Sequence, residues 1–280
     1  MTIRRRVRAA YESGFWKPDS AREMIATRPG RARSRGTISR AEHMAASADW
    51  LRRAQDATGD GGVSWSYHLR RGWAPSYPET TGYIIPTLLD LASTTGDDDF
   101  RQRAARAVDF LIGVQLPDGS FPAGTLTQEP RTPSVFNTGQ IVHGLTAWSR
   151  ASADENALRA ARAGANWLVD VQDEDGAWRR FGYLGYPVTY TAHVSCWLAD
   201  LGVVAHEPRY LAAASRHIEW VMTQRDPTSG WFERSGFSND DHVHHRSVTH
   251  TYAYTLWGVL HAGLVLGRDD FAARGTWRRA

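Results

Sequence analysis

Apolar residues recur with helical spacing in four well-separated segments of this chain. The clearest segment is residues 98–114, whose recurring apolar positions are Phe100, Ala104, Ala107, Val108, Leu111 and Val114. Steps of three and four residues place such positions on one face of a helix. Similar runs occupy residues 41–54, 155–171 and 207–223. The pattern predicts four amphipathic helices, each with an apolar face to bury.

A second kind of helix is predicted between these segments. It is less charged and richer in Gly, Thr, Tyr and Leu, and it occupies residues 80–91, 136–148, 190–201 and 249–266. These helices are expected to begin near Pro78, Pro133, Pro187 and Ser247. Proline suits a helix start because the N–H that it lacks would be unpaired there anyway.

A short phrase of Gln, a polar stretch, Gly and an aromatic residue closes each amphipathic segment. Its glutamines are Gln55, Gln115, Gln172 and Gln224, at intervals of 52 to 60 residues. A regular period of this length indicates an array of one supersecondary unit. We expect the glutamine to cap a helix end and the aromatic ring to pack between neighbouring repeats.

Alternating helices of the two kinds predict two concentric layers, with the less charged helices inside. The predicted fold is all-α, an α/α toroid of about four to five helical hairpins. Whether the hairpins close into a complete ring is left open. Residues 1–40 are expected to form a basic N-terminal arm or helix, and residues 41–280 the toroid domain.

Composition narrows the class of partner. The formal net charge is +3 and the pI is about 9.2, with arginines concentrated in residues 4–8, 28–40 and 278–279. We expect a solvated arm, or contact with an acidic glycan, and no nucleic-acid binding, because no helix-turn-helix or zinc-knuckle pattern accompanies the charge.

The single cysteine, Cys196, excludes an internal disulfide. No apolar run approaches the roughly 20 residues of a membrane helix, and without a visible secretory signal a cytoplasmic protein is expected.

Two family resemblances follow from the phrase and the helical plan. Gln-x-x-x-Gly-x-Trp at 172–178, with Phe in place of Trp at 115–121, resembles the repeat of terpenoid cyclases of the squalene–hopene type. The plan from residue 41 onward, with the stretch 72–83, resembles six-hairpin glycosidase-like proteins of polysaccharide metabolism. Both resemblances imply an α/α toroid, and the second implies a carbohydrate-active protein.

Aromatic and polar residues collect where the inner helices begin, which is expected to be one mouth of a central cavity. Flat rings stack on sugar faces, and amides or imidazoles orient sugar hydroxyls. The candidate substrate-binding residues are Trp65, Tyr67, Trp73, Tyr77, Tyr83, Asn137, Gln140 and His244.

The candidate catalytic residues are Glu79, His193, His250 and Tyr190. Glu79 follows a proline at a helix start, where the helix dipole favours an ionised carboxylate. Glycoside hydrolysis usually needs two carboxylates, and Asp240 or Asp241 is the available second one. Lyase or epimerase chemistry on a uronate-containing polysaccharide or oligosaccharide would instead use a histidine or tyrosine to remove the proton next to the uronate carboxylate. Hydrolase, lyase and epimerase all remain open.

Two other functions remain open beside an enzyme acting on a glycan. A terpenoid cyclase would need an Asp-x-Asp-Asp or an Asp-Asp-x-x-Asp motif, which neither Asp97–Asp99 nor Asp240–Asp241 supplies. A non-catalytic glycan-binding subunit would keep the cavity but lack the catalytic pair.

The histidines around His244 fit no zinc motif, so neither a metal nor a cofactor is expected. The expected partner is a glycan or small molecule, with homo-oligomerisation left open.

Overall fold

A computed structural model describes residues 38–69, 71–127, 129–237 and 248–271, together with Tyr11. The chain divides into two compact units, Met1–Tyr77 and Pro78–Ala280. Most of the predicted basic arm, the loop that carries His244, and the two C-terminal arginines lie outside the described residues. The predicted domain boundary after residue 40 stays a prediction.

The described residues from 38 to 77 in the first unit form a long helix and a small hairpin. Helix α1 spans Arg40–Asp56 and begins at a capping box, in which Ser39 and Glu42 satisfy each other's backbone N–H groups. Strands β1 (Tyr67–His68) and β2 (Gly72–Trp73) pair antiparallel.

The second unit contains seven α-helices in the part of the chain that the structure describes. The inner helices are α2 (Pro78–Thr95), α4 (Val135–Ser152), α6 (Ala192–Val204) and α8 (Thr249–Leu266). The outer helices are α3 (Asp98–Val114), α5 (Glu155–Asp170) and α7 (Pro208–Thr223). Short 3₁₀ helices at Tyr183–Gly185 and Thr189–Thr191 precede α6. None of the described helices has both the length and the apolar character needed to cross a membrane.

The outer helices form where the apolar periodicity predicts them. Helix α3 coincides with the predicted residues 98–114, and α5 and α7 differ from their predictions by a single residue. Asp97 caps α3 and Asp154 caps α5 by accepting backbone N–H bonds in the first turn. Each outer helix packs against the inner helix that precedes it in the chain. The alternation of two helix types is therefore confirmed.

Glycines set the close spacing of the inner helices, which contact one another in the order α2, α4, α6, α8. A Cβ at Gly144 would lie 2.1 Å from the carbonyl oxygen of Gly82, and a Cβ at Gly258 would lie 2.2 Å from the carbonyl carbon of Ala192. The backbones therefore approach to distances that only glycine allows. This row of inner helices backed by outer helices confirms the α/α toroid.

The repeated glutamine joins successive hairpins. The Nε2 group of Gln115 donates to the carbonyl oxygens of Gly119 at 2.8 Å and of Ala160 at 2.9 Å. Gln172 repeats the arrangement with two carbonyl acceptors at 3.0 Å, in its own phrase and in α7. The fourth copy departs from it, because Gln224 donates to the hydroxyl of Thr223.

The aromatic residue of the phrase packs between repeats in the two copies with regular spacing. Phe121 and Trp178 are buried, and the indole N–H of Trp178 donates to the carbonyl of Leu168 at 2.9 Å. In the fourth copy Phe232 is the buried ring, while Trp231 stacks on a tyrosine. Trp65 of the first copy is exposed, so the expected packing role is wrong there: longer spacing between Gln and Trp moves the ring outward.

Replacing Gly258 by Ala should destabilise the protein strongly. The new methyl group would overlap the backbone of α6, so the two inner helices must separate, at a cost of about 3 kcal/mol. Gly113 is the matched control, because a Cβ there meets no atom within 4 Å. Gly113→Ala should raise stability by about 0.5–1 kcal/mol through helix propensity. Urea unfolding of both variants measures the difference, and equal midpoints would contradict the packing described for α6 and α8.

Replacing Gln115 by Ala should cost about 1–3 kcal/mol of unfolding free energy, because two backbone carbonyls lose their amide donor. Gln224→Ala should cost less, since the Gln224 Nε2 bonds only a neighbouring hydroxyl. Guanidinium unfolding of the two variants makes the comparison. A loss for Gln224→Ala as large as for Gln115→Ala would show that joining hairpins is not what the glutamine contributes.

Candidate functional site

One face of the inner-helix row carries a continuous set of aromatic and polar side chains, which we call the groove. Its residues recur at helical steps on each inner helix. They are Glu79 and Tyr83 on α2, Phe136, Gln140 and His143 on α4, His193, Trp197 and Asp200 on α6, and His250, Tyr254, Trp257 and His261 on α8. Steps of three and four residues keep each set on one face of its helix. The groove therefore brings together residues that are far apart in the sequence.

Aromatic rings crowd the end of the groove where the inner helices begin, which we call the mouth. Phe136 lies 5.4 Å from Tyr190 and 5.9 Å from Tyr254, measured between ring centroids. Phe237, from the loop before α8, lies 5.7 Å from Tyr190 and 5.5 Å from His250. An aromatic cluster therefore surrounds Tyr190 and His250, and it includes Phe237, which the sequence did not indicate.

Glu79 acts electrostatically on two tyrosines of the mouth. Burial raises the pKa of Tyr190 well above its usual range, and the negative charges of ionised Tyr186 and Glu79 raise it further. Burial, followed by the charge of Glu79, also raises the pKa of Tyr254. The start of α2 is thus within electrostatic range of the starts of α6 and α8. Both phenols stay protonated near neutral pH, so they can donate hydrogen bonds but not accept a proton as bases.

His193 is held below the mouth in a neutral form. Its Nδ1 lies 3.1 Å from Nε2 of Gln140, and its ring stacks on Tyr254 with centroids 4.5 Å apart. Burial lowers the pKa of His193 to about 3, with smaller contributions from His143 and His261. A neutral imidazole of such low basicity is a weak general base. His193 is better suited to hydrogen bonding than to the proton abstraction that the sequence suggested.

The deeper part of the groove contains a carboxylate–histidine pair that the sequence did not reveal. Nε2 of His261 lies 3.0 Å from both carboxylate oxygens of Asp200. That hydrogen bond raises the pKa of His261 against the opposing effect of burial. Beside the pair, His143 stacks on Trp197 at 3.5 Å, and burial lowers the pKa of His143 to about 4.

Two predicted substrate-binding residues have different roles. Gln140 is buried in the groove and orients His193. The Asn137 side chain instead bonds to its own chain, because its Nδ2 donates to the carbonyl of Pro122 at 3.0 Å and its Oδ1 accepts from the Ser134 hydroxyl at 3.1 Å. These bonds hold Asn137 to the preceding loop, and its role as a substrate contact stays a prediction. Among the described residues, no group of His, Cys, Asp and Glu side chains could hold a metal ion.

The other predicted aromatic contacts lie in the first unit. Tyr67 and Trp73 pack against each other with centroids 5.0 Å apart, and Trp73 lies 4.7 Å from Trp50 of α1. Trp65 is exposed, whereas Tyr77 is partly buried. Their roles as substrate contacts stay predictions.

Comparison with known proteins identifies the family. Residues 46–267 match the model described as "Beta-L-arabinofuranosidase, GH127 catalytic domain". The chain belongs to this family. The predicted membership of a carbohydrate-active α/α-toroid superfamily is thereby confirmed.

Individual relatives agree with the fold. The unsaturated glucuronyl hydrolase specific for heparin superposes with a TM-score of 0.64 at 16% identity, covering 80% of this chain and 62% of that one. The unsaturated glucuronyl hydrolase of Bacillus sp. GL1, described as responsible for glycosaminoglycan degradation, superposes with a TM-score of 0.60 at 17% identity. The match covers 79% of this chain and 68% of that one. Squalene–hopene cyclase of Zymomonas mobilis is 23% identical over an alignment of 232 residues, and the match covers 76% of this chain and 33% of the cyclase. The chain thus spans about a third of that curated relative.

Proposed function

We propose that this member of the GH127 family is a glycoside hydrolase that binds a glycan at the mouth of the groove. The observation that carries the proposal is the placement of Glu79 within electrostatic range of Tyr190 and Tyr254, two members of the cluster of aromatic rings. Rings of this kind stack on sugars, and protonated phenols donate to sugar oxygens. The family assignment supports the substrate class.

Glu79 is the proton-transfer group in this proposal. In its protonated form it gives a proton to the glycosidic oxygen as the bond to the anomeric carbon breaks, and a water molecule then adds to that carbon and returns a proton to the Glu79 carboxylate. The phenol of Tyr190 is too hard to ionise, and the imidazole of His193 is too hard to protonate, for either to carry out this proton transfer. They bind and orient the sugar instead, with Gln140 fixing the position of His193.

The second carboxylate of the reaction is not Asp200. Asp200 lies seven residues beyond His193 on α6, about 10 Å deeper along the helix, and it is bonded to His261. The predicted alternatives, Asp240 and Asp241, lie outside the described residues and stay predictions. Homo-oligomerisation, the absence of nucleic-acid binding and a cytoplasmic location also stay predictions.

Incubation of the wild-type protein with two glycan types tests the proposal. The substrates are β-L-arabinofuranosides and unsaturated glucuronyl disaccharides, chosen from the family model and from the proteins of similar fold. We expect release of a monosaccharide from one of them, detected as new reducing ends. A gain in ultraviolet absorbance on intact uronate polymers would show lyase chemistry instead. Binding without release would favour a non-catalytic subunit.

A terpenoid cyclase is the second candidate, because of the sequence similarity to squalene–hopene cyclase. The groove argues against it, since it contains four histidines, an amide and two carboxylates in the described part of the chain. Such groups would capture or deprotonate a carbocation. Incubation with squalene and with farnesyl and geranylgeranyl diphosphates should therefore give no cyclic product, and cyclisation of any of them would replace the glycosidase proposal.

A further inference from the structure

An exposed tryptophan lies in the groove below its mouth. Trp257 is 58% exposed although it belongs to an inner helix. Its ring contacts His193 edge-on with centroids 6.4 Å apart, and it precedes His261 by one helical turn. A large exposed ring between polar groups is typical of a binding surface rather than of a core.

The Asp200–His261 pair beside this ring has unused hydrogen-bonding capacity. Among the described residues, Asp200 accepts a hydrogen bond only from the Nε2–H of His261. A carboxylate has about four acceptor positions. Nδ1 of His261 has no hydrogen bond to any described residue. The two side chains are 21% and 32% exposed, respectively, so a ligand can reach the open positions.

Two buried polar atoms next to the pair also lack partners in the described part of the chain. They are Nε1 of Trp197, a residue that is 6% exposed, and Oε1 of Gln140, a residue that is 1% exposed. The Trp197 ring touches His193 on one side and His261 on the other. Buried polar atoms normally have partners, so these atoms indicate that a polar ligand or ordered water belongs between the mouth and the pair.

We propose that Trp257, Asp200 and His261 form a second sugar-binding subsite, deeper in the groove than the mouth. The face of a neutral sugar stacks on the indole of Trp257, one hydroxyl donates to Asp200, and the neighbouring hydroxyl bonds Nδ1 of His261. The offset of about 10 Å between His193 and Asp200 along α6 leaves room for two linked rings. The subsite rests on the proposed function and deepens it, because it makes the preferred ligand a disaccharide or longer chain.

Calorimetric binding to the Glu79→Gln protein tests the subsite without turnover. The probes are a β-linked L-arabinofuranose disaccharide and methyl β-L-arabinofuranoside. We expect the disaccharide to bind about tenfold more tightly, which corresponds to about 1.4 kcal/mol. Adding Trp257→Ala or Asp200→Asn should remove most of that preference and leave the Kd of the monosaccharide within about twofold. Leu264→Ala, an exposed apolar change on the same helix, is the control and should alter neither Kd.

Each contrary result has a distinct meaning. Equal affinity for the two probes, or an equal loss for both in Trp257→Ala, overturns the subsite while glycan binding at the mouth stands. Failure of both probes to bind overturns the binding of arabinofuranosides at the mouth, and the subsite falls with it, while the release assay on unsaturated glucuronyl disaccharides still decides the proposed function. Trp257 is exposed, so its variant should fold, which thermal unfolding of the same samples checks.

Discussion

Replacing Glu79 by Gln should lower kcat/KM on the glycan substrate by about 10²–10⁴-fold, because the reaction loses its proton-transfer group. KM should change little, since the amide keeps the shape and most hydrogen bonds of the acid. The kinetics of purified wild type and variant measure the effect. Glu155→Gln is the matched control: Glu155 is also an acid in the first turn of a helix, but it is exposed and on the outer layer.

The expected loss separates a catalytic role for Glu79 from a purely structural one. A helix-start carboxylate contributes about 0.3–1 kcal/mol to stability through the helix dipole, and the control shares that contribution. Retained turnover in Glu79→Gln would remove the assignment. Equal losses in both variants would show that helix stability, not proton transfer, accounts for the effect.

Mild acid should destabilise the fold steeply. Burial lowers the pKa of His143 and His217 to about 4 and that of His193 to about 3. Below the usual histidine pKa of about 6.5, the unfolded chain takes up protons at these positions while the folded chain does not. Their stabilising contribution is therefore complete above that pH and is lost as the pH falls toward 4.

The slope of the unfolding free energy against pH follows from the protons that these three histidines bind in the unfolded chain. Three histidines that bind protons only when unfolded give about 4 kcal/mol of lost stability per pH unit near pH 5. His261 acts in the opposite direction, because Asp200 raises its pKa, and it offsets part of the loss. Asp175, whose pKa Arg179 holds at about 2, contributes its loss only at lower pH.

His217→Gln tests the histidine contribution directly. His217 is fully buried, where Nδ1 lies 2.8 Å from the carbonyl of Gly176 and Nε2 lies 3.0 Å from the Thr191 hydroxyl. The variant should be less stable at pH 7.5, yet lose about a third of the dependence on pH between 6 and 4.5. A flat wild-type profile in urea unfolding across this range would contradict buried neutral histidines.

The outer layer and the repeat could be predicted because their signals are local. Apolar residues at helical spacing fix α3 almost to the residue, and Asp97 and Asp154 mark helix starts by their capping chemistry. The bonds of Gln115 and Gln172 follow from one phrase that recurs with the hairpin. Local physics and repetition therefore determine most of the fold.

The deeper groove could not be predicted because its contacts are non-local. Asp200 and His261 are 61 residues apart and lie within low-charge helices, where nothing in the sequence pairs them. His217 occupies a polar-looking position of an amphipathic helix, yet it is buried between a glycine carbonyl and a threonine hydroxyl. Asn137 had the residue type of a sugar ligand, but a carbonyl from the preceding loop uses its amide.

A crystal structure of the Glu79→Gln protein with a bound oligosaccharide would show directly whether a glycan binds at the mouth. We predict a sugar ring there, with its glycosidic oxygen beside residue 79 and its hydroxyls within hydrogen-bonding distance of Tyr254 and His193. A sugar bound on the outer helices, with the groove left empty, would contradict it.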